Sequence, residues 1–374
     1  MKSLHSLLSP PTPVLLLHLS LIFTTTFVAG RPNFFQNNPS TPPNPSSDPW
    51  QPFHKFAGCH KGDHIAGLAK LKQYLHQFGY IPSSSSSSSN FTDNFDETLE
   101  SALKLYQKNF NLNATGKLDN TTVQMIARPR CGDADIINGT TSMNSGKPAH
   151  TTLHTVSHYS FFQNSPKWPD SKRNLTYAFL PANQLEANAK AVFSRAFQRW
   201  STVTPLTFTE IDSYEGADIK IGFFVGNHGD GEAFDGTLGT LAHAFSPTTG
   251  LFHLDGDEEW VVDGDVTKST SSNAIDLESV SVHEIGHVLG LGHSSVQEAI
   301  MYPSISAGIR KTGLANDDIQ GIQVLYGGNP NYVPSTSTPS NTENDTNDGG
   351  VRIVDWHWRL TMVMATVASM SLLL

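Results

Sequence analysis

Apolar positions fall into two patterned stretches of this chain, separated by runs that carry no pattern. Between about 57 and 128, Ile65, Leu68, Leu71, Leu75 and Phe78 recur at the spacing of a helix face, as do Leu99, Ala102, Leu103, Tyr106 and Phe110. A shorter set, Val123, Met125 and Ile126, follows Asp119, a suitable N-cap, and stops before Pro129. These predict a small all-α bundle. Between about 158 and 328 the period changes. Tyr177 to Leu180, Leu206 to Ile211 and Asp218 to Phe224 predict strands, and Asn183 to Trp200 predicts a helix with Ala189, Val192, Phe193, Ala196, Phe197 and Trp200 on its inner face. Short strands follow near Leu241 to Phe245 and Leu251 to Asp255, then helices from about Asp276 to Leu291 and Asn316 to Tyr326. The predicted class is α+β with a mixed sheet, preceded by the helical part.

The unpatterned runs set the remaining boundaries. Residues 1–30 carry Lys2, an apolar stretch from Val14 to Phe23, and Ala29 and Gly30 before Arg31, the layout of a secretory signal peptide. A membrane anchor is the alternative, but the stretch is short and interrupted by His18 and Ser20. Residues 31–56, Ser83 to Ser89 and 329–350 are too polar to bury a core and read as linkers or loops. At the far end, 351–374 opens with a polar spacer and finishes in an apolar run, after the small residues Asn347, Asp348 and Gly349. That order suits a glycolipid-anchor signal, with a tail-anchored helix as the alternative. The expected organisation is signal 1–30, linker 31–56, a helical part 57–150, an α+β part 151–328, linker 329–350 and anchor signal 351–374. Six glycosylation sequons, at Asn90, Asn113, Asn120, Asn138, Asn174 and Asn344, fit export. A net charge of −10 with only 24 Lys and Arg argues against a nucleic-acid surface.

The decisive stretch is His283-Glu284-Ile285-Gly286-His287-Val288-Leu289-Gly290-Leu291-Gly292-His293. On a helix, positions four apart share a face, so His283 and His287 can aim two imidazoles at one zinc ion. Gly290 and Gly292 let the chain turn back and bring His293 in as a third ligand. Three neutral imidazoles leave a fourth position for water, and Glu284 stands where its carboxylate can take that water's proton. Five specified residues at fixed spacing make this a strong signal against three ordinary buried histidines.

Other residues carry chemistry at looser spacing. His228, Asp230, His243 and His253 offer three imidazoles and a carboxylate, the donor set of a closed structural zinc site, with unrelated core histidines as the alternative. Asp235, Asp255 and Glu258 gather hard oxygens on the same loops, which favours calcium over a plain solvated acidic loop. Cys131, in Pro129-Arg130-Cys131-Gly132-Asp133-Ala134-Asp135, can fill the open position on the catalytic zinc and exclude water. A Cys59–Cys131 disulfide is the alternative, natural for two cysteines in an exported chain. His150, His154 and His158, four apart among Thr and Ser, read as an exposed linker.

On these residues the sequence resembles the metzincin metallopeptidases, with Met301 in Ala299-Ile300-Met301-Tyr302-Pro303 suiting the methionine turn beneath the zinc. Ser294 and the Cys131 segment look like the matrix metalloproteinases of plant type, without a haemopexin-like domain. The resemblance covers roughly 57–328. It implies a metzincin-like catalytic domain with a twisted mixed sheet and an active-site helix, a cysteine switch at Cys131, and zinc and calcium as cofactors. It also implies calcium-ligating carbonyls at Gly236, Leu238 and Thr240, and a contribution from Asp218 to a second calcium, which many animal members hold in a longer stretch than the one between His243 and His253 here. The chain departs from the family at Ala134 and Thr237, where proline is usual, at Leu238, where glycine is usual, and at Ile305, where many animal members have tyrosine. The expected function is a secreted, latent zinc endopeptidase with protein or peptide substrates, an activating protease that cuts between about 146 and 158, and a lipid-anchored location on the outer face of the plasma membrane. The competing class is a zinc-stabilised binding module without catalysis, and the competing enzyme is a metzincin of another family.

Overall fold

Burial of aromatic rings organises the first part of the computed structural model, which describes residues 48–82, 91–143 and 158–333. The described residues up to 332 form one compact unit; the expected signal and anchor segments lie outside the described residues. Helices α1 (Leu68–Gln77), α2 (Glu97–Asn109) and α3 (Asn120–Ile126) surround Tyr74, Phe78, Phe95, Tyr106 and Phe110. Asp96 caps α2 by accepting from the Leu99 amide at 2.9 Å, and Asp119 caps α3 through Thr122 at 2.8 Å, as the sequence predicts for Asp119. The expected linker 31–56 is corrected at its end. Residues Gln51–Phe56 form a 3₁₀ turn whose Phe53 and Phe56, with Trp50, belong to the bundle core. The Trp50 ring meets Tyr74 edge-on at 5.0 Å. Three large apolar rings among prolines outweigh a polar composition.

After the bundle, the chain forms β1 (Arg130–Cys131) and a small hairpin of β2 (Ile136–Ile137) and β3 (Thr140–Thr141). The catalytic part then builds β4 (Asn174–Phe179), α4 (Ala187–Val203), β5 (Thr207–Glu210), β6 (Ile219–Phe224), β7 (Thr240–Ala244) and β8 (Leu251–Asp255). These strands and β1 form a six-stranded sheet in the order β1-β7-β8-β6-β4-β5. All neighbours run parallel except β7, which is antiparallel to β8. A separate parallel pair, β9 (Glu259–Val261) and β10 (Ala274–Asp276), leads into α5 (Leu277–Val288), and α6 (Asn316–Tyr326) closes the domain. The sheet and helices are those the periodicity predicts; β1, β9 and β10 are too short to carry a period. The expected end at 328 is also corrected: Asn329 donates to Val203 O and Ser201 O, and Tyr332 packs on the core.

Helix α5 is wholly buried and therefore shows no polar face. Asp276 caps it through the Ser279 amide at 2.8 Å. Trp200 of α4 donates from Nε1 to Val282 O at 3.0 Å, and Trp168 does so to Val288 O at 2.9 Å, so two indoles fix the helix against the core. Gly286 is where Met301 passes beneath: a Cβ there would overlap Met301 Sδ and crowd Trp200. Gly286→Ala is expected to lower unfolding stability by about 1–3 kcal/mol through overpacking. A denaturant midpoint equal to that of the unsubstituted protein would contradict this close approach.

Candidate active site

Three ring hydrogen bonds decide how the imidazoles of the long motif point. His283 Nδ1 faces Ile300 O at 2.7 Å and His287 Nδ1 faces Leu291 O at 2.8 Å; a carbonyl only accepts, so each Nδ1 carries the hydrogen. His293 Nδ1 likewise faces the carboxylate of Asp135 at 2.8 Å. All three Nε2 atoms are thereby left as lone-pair donors, and those of His283 and His287 lie 3.0 Å apart. The turn that delivers His293 depends on Gly290, whose φ of 105° places it in the left-handed region and whose absent side chain makes room for Pro166 O. Burial keeps the rings neutral: it lowers His283 well below the ordinary histidine range, and lowers His287 and His293 to about 4.

Cys131 Sγ completes the group, 3.5 Å from His287 Nε2, and the ligand atoms of Cys131, His283, His287 and His293 all lie within 4.8 Å of one another. The cysteines are free, so the disulfide alternative does not apply. Burial, then the charges of Glu284 and Asp133, push the Cys131 thiol well up, so its thiolate needs a cation among the histidines. His293 Nε2 and both Glu284 oxygens are buried without a hydrogen-bond partner. Such orphaned atoms fit a bound metal and its water.

The second predicted set also converges. Asp230 Oδ2 lies 2.7 Å from His228 Nε2, 2.7 Å from His243 Nε2 and 2.8 Å from His253 Nδ1. The antiparallel register pairs His243 of β7 directly with His253 of β8, which places both rings on one face of the sheet. Asp230 is held well below the usual carboxylate range: burial opposes this, but the Glu232 amide and the two histidines outweigh it. Four donors with no position left over are what a structural zinc requires.

The acidic loop is more divided. Burial pushes Asp235 up to about 6, Asp255 to about 7 and Glu258 to about 9, with mutual repulsion adding to the last two. Both Glu258 oxygens are buried without a partner. This is a site with too much negative charge for its own good, and it fits calcium. Gly236 and Thr240 hold the loop by donating to Asp255 and Asp235. Leu238 adopts φ 64°, the left-handed conformation usual for glycine, while its side chain stays buried. Asp218, the candidate for a second calcium, stands apart from this loop: its carboxylate accepts from the Thr176 amide and hydroxyl at 2.9 Å and pairs with Lys172.

Beside the imidazoles lies a narrow cavity walled by Leu241, Val280, Ile300, Tyr302, Pro303 and Ile305. Val282 faces the core, because Val280, His283 and Glu284 share the opposite side of α5. His158 is not an exposed linker residue: its amide and that of Tyr159 donate to Asp317 at 2.8 and 2.9 Å. His150 and His154 lie outside the described residues. Sequons Asn113, Asn120, Asn138 and Asn174 are exposed, whereas Asn90, Asn344 and the anchor candidates Asn347, Asp348 and Gly349 lie outside the described residues. The residue that sequence reasoning undervalued is Asp135, kept only as part of the cysteine segment; nothing in the spacing signals its contact with His293.

A buried helix bearing two histidines, a glycine turn bearing a third, and an unpartnered glutamate define a metal-dependent hydrolase of the metzincin class. The comparisons agree. The matrixin pattern matches residues 167–327, and that of a putative peptidoglycan binding domain matches 66–126. Metalloendoproteinase 2-MMP of Arabidopsis thaliana is 51% identical over 91% of this chain and 93% of its own length. Metalloendoproteinase 5-MMP of the same plant is 52% identical over 94% and 95%, and metalloendoproteinase 1 of Glycine max is 51% identical over 74% and 87%. The chain belongs to the matrixin family of zinc metalloendopeptidases, hydrolases of peptide bonds whose cofactors are zinc and calcium.

Because the acidic carboxyls sit above their ordinary values, protons compete with a cation at neutral pH. Calcium is therefore expected to bind with proton release, and its apparent affinity to rise as pH climbs from about 6 towards about 9. Without calcium the sign is opposite for stability: the folded state keeps these protons longer than the unfolded chain, so stability falls as pH rises from the ordinary carboxyl values of 3.8 and 4.5 and levels off above about 9. Calorimetry in buffers of different ionisation enthalpy checks both, and a pH-independent affinity would remove this loop as the calcium site.

Proposed function

We propose that the chain is a secreted zymogen of a zinc endopeptidase acting on extracellular or cell-surface proteins, with Cys131 as the inhibitory ligand and propeptide removal as the activating step. The observation that carries this is the position of the propeptide segment. Arg130 donates to Gly239 O at 2.8 Å and Gly132 to Ala242 O at 2.7 Å along β7, while Cys131 donates to Pro303 O and Ile305 to Pro129 O on the opposite wall. The segment thus occupies the cleft between β7 and the cavity wall, and brings its thiol to the three histidines. Once it leaves, β7 becomes an edge strand whose free amides and carbonyls can hold an extended peptide in register.

His283, His287 and His293 are assigned to the catalytic zinc, and His228, Asp230, His243 and His253 to the structural one. Bound zinc supplies a Lewis acid and a water of lowered pKa. Glu284, desolvated and raised well above the ordinary range by burial and by Asp133, takes the proton from water and returns it to the leaving amine. The apolar cavity at Leu241, Val280 and Ile305 receives the side chain that follows the cleaved bond. Asp235, Asp255 and Glu258, with carbonyls of Gly236, Leu238 and Thr240, are assigned to calcium.

Cleavage by another protease upstream of His158 is supported by Asp317, which would anchor a mature chain beginning there. Export rests on residues 1–30 and the sequons, and attachment to the outer membrane surface through Asn347, Asp348 or Gly349 rests on the 351–374 signal. No helix among the described residues is long and apolar enough to cross a membrane.

The test uses a quenched peptide substrate before and after a thiol-reactive mercurial. Activity is expected to appear on treatment and vanish with a zinc chelator. Glu284→Ala should lose about 10²–10⁴-fold while keeping its zinc, and Cys131→Ser should be active without treatment. A zinc-loaded protein that stays inert after propeptide removal, across a broad peptide library, would favour the binding module instead.

A further inference from the structure

Two of the three candidate catalytic-zinc ligands lean on their own domain, and the third leans on the propeptide. His283 and His287 donate from Nδ1 to carbonyls of Ile300 and Leu291, within the catalytic part. His293 donates from Nδ1 to Asp135 Oδ1, five residues past Arg130 in the propeptide segment. That carboxylate is fully engaged: Oδ1 also accepts from Arg130 Nη2 at 2.7 Å, and Oδ2 accepts from Arg130 Nη1 at 2.9 Å and from the Tyr80 hydroxyl at 2.7 Å. The side chains of Arg130, Asp135 and His293 have no solvent exposure. A carboxylate behind a ligating histidine fixes the ring and makes it a stronger donor than a neutral carbonyl partner does.

We infer that Asp135 is a positioning residue for the catalytic metal in the latent form, so that the propeptide grips the centre at two points: Cys131 directly and Asp135 through Nδ1–H of His293. Release of the propeptide then removes a ligand and, in the same step, the partner of the third histidine. The latent form holds zinc more firmly than the thiolate alone would make it, and the mature form is left with one less strongly donating imidazole. This inference rests on the latency reading above.

The test compares full-length zymogens substituted with cobalt and zinc. The cobalt–thiolate absorption band reports whether Cys131 is bound, and competition with a chelator reports metal affinity. Asp135→Asn is expected to keep the band and lose roughly 10–100-fold in affinity, whereas Arg130→Met, which breaks the same ion pair but leaves the contact to His293, should lose much less. Unchanged affinity in Asp135→Asn with the band present, or an equal loss in Arg130→Met, overturns the inference and leaves latency standing. Absence of the band in the unsubstituted zymogen overturns both. If Asp135→Asn undocks the propeptide and loses the band, the unsubstituted protein labelled with ¹⁵N-histidine decides. A far-downfield Nδ1 proton of His293 that disappears on propeptide release supports the role, and the same resonance in both forms refutes it.

Discussion

Everything around the active centre depends on keeping three imidazoles neutral, dry and aimed at one point. Two lone pairs 3.0 Å apart repel each other unless a cation lies between them, so their geometry must be imposed by the surrounding protein. The imposition is made at Nδ1, where each ring has one fixed acceptor, and by burial, which keeps the rings unprotonated. Helix α5 has no solvent face because it serves this purpose, and the indoles of Trp168 and Trp200 hold its backbone from either side. Met301 reaches the helix only because Gly286 leaves it space. A rigid second layer is thus built before any chemistry is possible.

The same constraint bears on the latency proposed for the segment around Cys131. Its Arg130 is a fully buried cation, which is costly unless paired and hydrogen-bonded. It is paired twice with Asp135, donates to Cys131 O, and lies 3.6 Å over the centre of the Phe78 ring. Arg130 and Asp135 therefore shape the turn that presents Cys131, while the backbone of the segment is hydrogen-bonded to both walls of the cleft. The bundle adds a hold at a distance: Tyr302 of the cavity wall sits among bundle residues, 5.7 Å from the Phe110 ring, with its hydroxyl donating to Met125 Sδ. Ala134, where the family usually has proline, does not prevent this arrangement, because the ion pair supplies the turn that a proline would stiffen.

How much of this was legible in the sequence follows the range of the interactions. Helices α2, α3, α5 and α6 were legible because caps and period are local, and the histidine motif was legible because its helix and turn are encoded within eleven positions. The structural-site residues were legible only as a donor list, since the pairing of His243 with His253 comes from strand register. Trp50 and Phe53 were hidden by the prolines around them, and β1 was hidden because its partner β7 lies over a hundred residues away. Asp135 looked like part of a segment pattern, and its contact with His293 spans 158 positions.

Asp218 and Leu238 show how this chain's own contacts bear on the two calcium readings. The Asp218 oxygens accept from Thr176 and pair with Lys172, so without a cation its charge ties β4 to β6, apart from the loop of Asp235, Asp255 and Glu258. Leu238 breaks the expected glycine, and the backbone nevertheless adopts the left-handed conformation that glycine would have provided. A non-glycine residue there costs about 1–2 kcal/mol, and burying a leucine side chain returns about 1.5–3 kcal/mol. The Leu238 side chain is 8% exposed and joins the main core, so the loop keeps its shape by a different balance of the same two terms. The carbonyls that the calcium assignment requires can then keep their directions even though the residue that usually allows them is missing.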